Sequence, residues 1–288
     1  MAAVAILISS FDGFSDCWEP VCHGITKYWS DCPYSIFLIT NTKDFTHEKV
    51  TTIKIGEDKG WANNLLMVLK QIDATYIMYF QEDYWIRERV NSSAITEYVR
   101  TMDKMELNYL RLLAYPTPDS DFMADQRLGV LAENAPYRTA LQIALWRKEV
   151  LLDLLKPGES PWEFEVRGST RSRKYGNSFL SVKQFNDDPY YNGISYVCTA
   201  INRGRWARIA KEYAKDEGLN VDWSNLPSET WWHEYVRSTT FGAWLQLTLY
   251  RIGLVFKQPK IAFDKALNRT FALLGMRNEA TYKPENRP

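Results

Sequence analysis

Thr75-Tyr76-Ile77-Met78-Tyr79-Phe80 runs without a break into Gln81-Glu82-Asp83-Tyr84. The first six residues carry no charge and are mostly aromatic or aliphatic. Such a run reads as a strand buried on both faces, the kind found in parallel sheets covered by helices. Two carboxylates follow at once at its carboxyl end. In open α/β sheets, ligands sit outside the carboxyl ends of the strands, so Glu82 and Asp83 stand where a ligand site is expected.

The same pattern repeats toward the N-terminus. Residues 4–10 (VAILISS) and 34–40 (YSIFLIT) are further buried strands, and residues 50–55 (VTTIKI) form a third that alternates more. Residues 18–29 and 60–72 carry apolar side chains at helical spacing. The order is β-α-β-β-α-β, which predicts a mostly parallel, Rossmann-like α/β sheet flanked by helices. Downstream, residues 92–105 read as a helix, 109–115 and 139–146 as strands, and 116–136 as a loop or flap. Residues 148–155 form a helix stopped by Lys156-Pro157-Gly158, and Ser160-Pro161-Trp162-Glu163 opens another. Residues 197–201 read as a strand and 205–217 as a helix stopped by Gly218. The expected division is a main domain over residues 1–225 and a helical, aromatic-rich C-terminal extension over 226–288.

Composition narrows the function classes. The 288 residues hold 35 Lys plus Arg and 35 Asp plus Glu, a balance without the basic excess that duplex nucleic acid favours. The four cysteines (Cys17, Cys22, Cys32, Cys198) show no CxxC pair, and the three histidines are far apart, which argues against structural zinc. Reduced cysteines suit a cytoplasmic protein. The opening MAAVAILISSFDG lacks a positive n-region and reads as a first strand instead of a signal peptide. The most apolar later stretch, residues 241–256, is interrupted by Gln246 and Arg251, so no spanning helix is expected. Eleven Trp and 17 Tyr suit either a large aromatic core or platforms that stack on bases and sugar rings.

Five constellations bear chemistry. Glu82-Asp83-Tyr84 can hold a divalent cation, and with it a diphosphate, or can be an ordinary acidic strand end. Ser9 and Asp12 lie in the loop after the first strand, where they can meet a nucleoside or simply make an Asp-Gly turn. The helix start Lys59-Gly60-Trp61-Ala62-Asn63-Asn64 can attract an anion through its N–H groups and Lys59; Trp61 also suits the core. Residues 158–165 (GESPWEFE) place Glu163 and Glu165 beside Trp162, and either carboxylate can deprotonate a hydroxyl. Ser160-x-x-Glu163 is equally a capping box with Pro161 at the first helical position. The basic run at residues 167–174 includes Arg171, which can hold acceptor or diphosphate oxygens or form a solvated face. No GxGxxG or GxxxxGK[ST] is present, which argues against dinucleotide enzymes and P-loop NTPases.

Together these motifs resemble the GT-A glycosyltransferases, in particular bacterial and viral polysaccharide glycosyltransferases. The resemblance covers about residues 1–225. It rests on the Ser9/Asp12 loop, the Gly60-Trp61 helix, Glu82-Asp83-Tyr84 at the DxD position, Trp162-Glu163 at a WED-like position, and residues 204–218. It implies an inverting transferase using a nucleotide-sugar donor of the UDP type and a carboxylate base. Donor contacts would come from Ser9, Asp12, Lys59, Trp61, Asn64, Glu82, Asp83 and Tyr84, acceptor contacts from Trp162 and Arg171, and Mn²⁺ or Mg²⁺ binding from Asp83. The acceptor would be a glycan or lipid-linked glycan. Two departures stand out: Tyr84-Trp85 follows where a second Asp belongs, and Phe164 takes the Asp place of a WED motif, leaving the base open between Glu163 and Glu165. A sugar nucleotidyltransferase is the alternative enzyme, although the loop from Ser9 to Gly13 lacks the cation such enzymes use. A carbohydrate-binding protein is the non-enzymatic alternative. Residues 231–256 could touch a membrane surface or a second copy of the chain.

Overall fold

A computed structural model describes residues 3–183 and 193–230. The chain divides into two compact units, Met1–Pro227 and Ser228–Pro288. Of the expected C-terminal extension over 226–288, residues 231–288 lie outside the described residues.

The first unit is a nine-stranded, mixed but mainly parallel sheet with helices on both faces. Its strands are β1 (Val4–Ser9), β2 (Ser35–Thr40), β3 (Val50–Lys54), β4 (Tyr76–Gln81), β6 (Tyr109–Arg111), β7 (Ser120–Asp121), β8 (Leu128–Val130), β9 (Ala144–Arg147) and β10 (Phe179–Val182). They lie in the order β3-β2-β1-β4-β9-β6-β10-β8-β7. The β3-β2-β1-β4 half is wholly parallel. β9 runs antiparallel between β4 and β6, and β6 pairs parallel with β10. β4 and β6 therefore point the same way, and their carboxyl ends share one edge of the sheet.

Two cores explain why these runs become strands. On β1, Ile6 and Ile8 enter one core while Ala5 and Leu7 enter the other. On β4, Tyr76, Met78 and Phe80 face one side, Ile77 and Tyr79 the other. Pleating sends successive side chains to opposite faces, so a strand covered on both sides must be apolar throughout. The first face is covered by α1 (Trp18–Tyr28), α3 (Ser92–Lys104) and α7 (Arg208–Asp216); the second by α2 (Trp61–Leu69) and α4 (Lys148–Leu154). Among the described residues, Trp18, Trp29, Trp85, Trp146 and Trp206 are buried in the core.

Two expected strands are cut short. Residues 109–115 keep strand form only to Arg111, and 139–146 only from Ala144 onward. Between Thr139 and Leu141 the main chain is hydrogen-bonded by side chains instead of a neighbouring strand. Thr139 N–H donates to Ser169 Oγ, Leu141 N–H to Glu165, Tyr109 OH to the Ala140 carbonyl and Tyr84 OH to the Leu141 carbonyl. The expected loop at 116–136 contributes β7 and β8, a hairpin that extends the sheet beyond β10. The expected strand at 197–201 is two short pieces. β11 (Tyr196–Val197) pairs with β5 (Trp85–Ile86), and β12 (Ile201–Asn202) pairs with β13 (Arg205–Trp206).

Candidate functional site

The carboxyl edge of the sheet gathers Ser9 from β1, Glu82 and Asp83 just past β4, and Arg111 at the end of β6. Glu82 and Asp83 are buried, at 8% and 7% exposure. Burial raises both carboxyls: Asp83 is pushed up to about 7, and Glu82 is held well above the usual range by burial and by the Asp83 charge. Ile201 N–H and the Thr199 hydroxyl face the Asp83 carboxyl and favour its charged form, but Asp83 Oδ1 has no hydrogen-bond partner. Ala200 N–H donates to the Asp83 carbonyl at 2.9 Å, so residues 199–201 close over this strand end.

Two hard carboxylates, one with an unpartnered buried oxygen, suit a Mg²⁺- or Mn²⁺-type cation. No group of three or more His, Cys, Asp or Glu side chains stands in position to hold a metal among the described residues. A cation held here would complete its coordination with water and a ligand's own oxygens.

Glu165 reaches the same edge from the other side. Residues 161–175 form one winding helical segment: α5 (Pro161–Glu163), a π-helical turn Phe164–Gly168, α6 (Ser169–Arg171) and a 3₁₀ turn Ser172–Tyr175. π-turns often mark functional positions because they re-aim side chains within a helix. Here the turn directs Glu165 inward, where Oε1 accepts from Leu141 N–H at 2.8 Å. The Leu141 carbonyl takes the Tyr84 hydroxyl at 3.0 Å. One residue thus ties Glu165 to the strand end that carries Asp83. Burial raises the Glu165 carboxyl above its ordinary value, opposed by the Leu141 N–H and the Arg111 charge.

Ser9 and Trp61 join this assembly through Tyr79. The Tyr79 hydroxyl takes Trp61 Nε1–H at 3.0 Å and hydrogen-bonds with Ser9. The Trp61 ring packs on Phe164, 5.3 Å between centroids, against the turn that carries Glu165. Trp162 stays on the surface at 64% exposure.

The other expected site residues are engaged elsewhere. Asp12 Oδ1 accepts from Asn41 N–H, and Oδ2 accepts from the N–H groups of Thr42 and Lys43 and the Thr42 hydroxyl. Burial alone would raise Asp12, but these donors bring it down to about 2; it clamps the loop after β2. Asn64 accepts from Lys59 N–H and donates to Asp58, closing the start of α2, while the Lys59 residue itself is exposed. Tyr84 is buried and acts as the bridge to Leu141. Arg171 forms a two-pronged pair with Glu159 at 2.8 and 2.6 Å and donates to the Leu154 carbonyl. Glu163 completes the capping box with Ser160 and pairs with Arg167 at 3.2 Å. Hydrogen bonds from Ser160 lower its carboxyl, the opposite of what a base near neutrality needs.

Sequence reasoning missed Tyr79, Gln142, Tyr196 and Arg111. Gln142 Oε1 accepts from Tyr196 OH at 2.8 Å and from Cys198 Sγ at 3.1 Å. Arg111 had a usable signal: it is the lone charge in the apolar run YLRLLAY, residues 109–115.

No family model matches the chain, and no curated protein matches it. Among solved structures it is similar to S. aureus TarS 1–349 in complex with UDP (11% identity, TM-score 0.44, covering 64% of this chain and 58% of that one). It is also similar to UDP-glucose pyrophosphorylase complexed with UDP-glucose (9%, TM-score 0.44, 67% and 94%). A third is the mannosyltransferase PcManGT from Pyrobaculum calidifontis in complex with GDP-Man and Mn²⁺ (12%, TM-score 0.40, 64% and 55%). The strand order and registers make this a mixed, mainly parallel α/β sheet flanked by helices. The chain spans 35% of one TarS chain it matches and 58% of the TarS 1–349 chain with UDP, and the strand order itself carries the architecture. No helix among the described residues is long and apolar enough to cross a membrane.

Proposed function

We propose that the protein is a glycosyltransferase that moves a sugar from a nucleotide-sugar donor of the UDP type to a hydroxyl of a glycan, with inversion. The observation that carries this is the union of Glu165 and the Asp83 strand end through Leu141. A raised carboxylate that can accept a proton lies at the same sheet edge as an unpartnered carboxylate oxygen suited to a cation or diphosphate.

In the reaction the acceptor hydroxyl attacks the anomeric carbon and its proton passes to Glu165. The bond from the anomeric carbon to the diphosphate oxygen breaks, and its electron pair leaves with the nucleoside diphosphate. One displacement inverts the anomeric configuration. Glu82 and Asp83 would hold a divalent cation, whose chemistry is to neutralise the charge that grows on the leaving diphosphate. Ser9, Tyr79 and Trp61 form the wall between the first loop and the Glu165 turn, on the donor side. Trp162 offers an exposed ring face to an acceptor sugar. Glu165 is the general base, and Glu163 serves the helix start.

The test is an assay of nucleoside diphosphate release across nucleotide sugars and glycan acceptors, with product configuration read by NMR. Release that requires both substrates and inverts the sugar supports the assignment. Pyrophosphate release from a nucleoside triphosphate and a sugar 1-phosphate, with no sugar transfer, would establish a nucleotidyltransferase instead.

A further inference from the structure

Residues 138–141 run beside the winding segment of residues 161–175 and meet it, with the glycine after it, at successive steps. The Arg138 guanidinium donates from Nη1 to the Ser172 carbonyl at 2.7 Å and to Ser172 Oγ at 2.9 Å, and from Nη2 to the Gly176 carbonyl. Thr139 N–H donates to Ser169 Oγ at 3.1 Å, and Leu141 N–H to Glu165 Oε1 at 2.8 Å. Thr139 also brings a side chain to this seam. The residue is fully buried, and its Oγ1 stands 3.3 Å from the Phe164 carbonyl, 3.4 Å from the Glu165 carbonyl and 3.1 Å from Ser169 Oγ.

Both carbonyls belong to the π-turn Phe164–Gly168. Such turns are rare inside helices, and a side chain inserted among helix carbonyls is one cause of a break in the regular ladder. Ser169 Oγ gives its single proton to the Glu165 carbonyl at 2.5 Å, so it meets Thr139 as an acceptor. The Thr139 hydroxyl therefore has three acceptors for one proton, all on the π-turn or the residue after it. Gly168 supplies the room. A Cβ there would lie 3.1 Å from Thr139 Oγ1 and 3.3 Å from two atoms of the Phe164 ring, closer than ordinary van der Waals contact. Glu165 is thus held at two places by one strip of chain: its carbonyl by Thr139 and Ser169, its carboxyl by Leu141.

We infer that Thr139 is a positioning residue for Glu165: its hydroxyl, seated against Gly168 and paired with Ser169, holds the π-turn in the register that brings the carboxyl to Leu141 N–H. One residue of helix register is about 100° of rotation, so a turn relaxed to the regular spacing would carry Glu165 away from the sheet edge. The bond from Leu141 reaches only the end of a side chain that can rotate, whereas Thr139 fixes the main chain from which that side chain extends. The consequence for turnover rests on Glu165 being the general base; the placement of its side chain does not.

The test is amide hydrogen exchange followed by NMR in Thr139→Val, which removes the hydroxyl, and in Thr139→Ser, which keeps it. Thr139→Ala serves if the Val variant does not fold. Leu112 N–H, bonded to the Ile143 carbonyl at 2.9 Å, is the internal reference, because a general loss of stability moves both amides together. The expected result in Thr139→Val is a Leu141 rate about tenfold faster relative to Leu112, the order expected for the loss of one hydrogen bond, with Thr139→Ser at the wild-type ratio. In turnover, Thr139→Val should lower kcat roughly 10- to 100-fold with donor KM unchanged, and should add no further loss on top of Glu165→Gln. Three results overturn the inference and leave Thr139 a packing residue: an unchanged Leu141 ratio in a folded variant without the hydroxyl, the same rise in Thr139→Ser, or a turnover loss that multiplies that of Glu165→Gln in full. If the ratio rises as expected while Glu165→Gln transfers sugar normally, the placement of Glu165 by Thr139 stands and the assignment of the base falls.

Discussion

Burial and hydrogen bonding pull Glu163 and Glu165 in opposite directions, although they are two residues apart. Glu163 is exposed enough to stay solvated and accepts from Ser160, so its charged form is favoured. Glu165 is turned inward and loses water, so its neutral form gains. The two substitutions should separate accordingly. Glu165→Gln is expected to lower kcat by roughly 10²–10⁴-fold, the usual range for losing a general base, with donor affinity retained. Glu163→Gln should keep turnover and lose about 0.5–1 kcal/mol from the weakened cap. Steady-state kinetics with a denaturation curve for each variant checks both; comparable turnover loss in the two would undo the assignment. In the wild type the activity should rise with pH through the Glu165 midpoint, which burial raises above its ordinary value, because only the ionised form accepts a proton.

Among the elements, strands β1 to β4 and their helices were legible because double burial leaves no choice but continuous apolar sequence. The 139–143 segment was not, since its sequence is that of a strand while its main chain is claimed by Ser169, Glu165, Tyr109 and Tyr84. Those partners lie up to 57 residues away, and nothing in local spacing announces them. The loop contacts of Asp12 and the Glu159 pair of Arg171 were equally illegible: a polar residue near a sheet edge looks the same in sequence whether its oxygens or N–H groups face a ligand or a neighbouring loop. The docking of α7 was hidden likewise. Just past its end, Glu217 accepts from Lys27 at 2.5 Å and Tyr28 OH at 2.5 Å and meets His23 Nε2 at 2.7 Å, tying α7 to α1. Burial would raise this carboxyl, but the three partners bring it down to about 2. A depressed carboxyl stabilises the fold above its unfolded value, near 4.3, and that contribution disappears as pH falls toward 2. Glu217→Gln should therefore cost about 2 kcal/mol at neutral pH, roughly 4–8 °C in melting temperature, and much less at pH 2–3. A variant whose deficit is the same at both pH values would show that packing, not the carboxylate charge, joins the helices.

Among the described residues, three buried polar atoms without hydrogen-bond partners lie at the carboxyl edge of the sheet. Thr40 Oγ1 and Asn41 Nδ2 at the end of β2 and Asp83 Oδ1 past β4 are buried and unpaired, with β1 and Ser9 lying between them. Buried polar groups are nearly always satisfied, so unpaired atoms gathered on the ligand edge of an α/β sheet mark the face on which a ligand would complete the set. Binding there should stabilise the folded state in proportion to occupancy. A nucleoside diphosphate at 100 times its Kd adds about 2.7 kcal/mol, or roughly 5–10 °C for a domain of this size. The expected outcome is a rise of that order with UDP and Mn²⁺ together, a smaller one with UDP alone, and none in Asp83→Asn, which preserves shape but removes the charge. Because the fold does not use Asp83 Oδ1 for any hydrogen bond, Asp83→Asn should melt close to the unliganded wild type, so loss of the ligand shift cannot be confused with loss of structure. Equal shifts in wild type and Asp83→Asn would move the diphosphate away from β4, and the absence of any shift across nucleoside diphosphates, with or without the cation, would remove the donor site from this edge altogether.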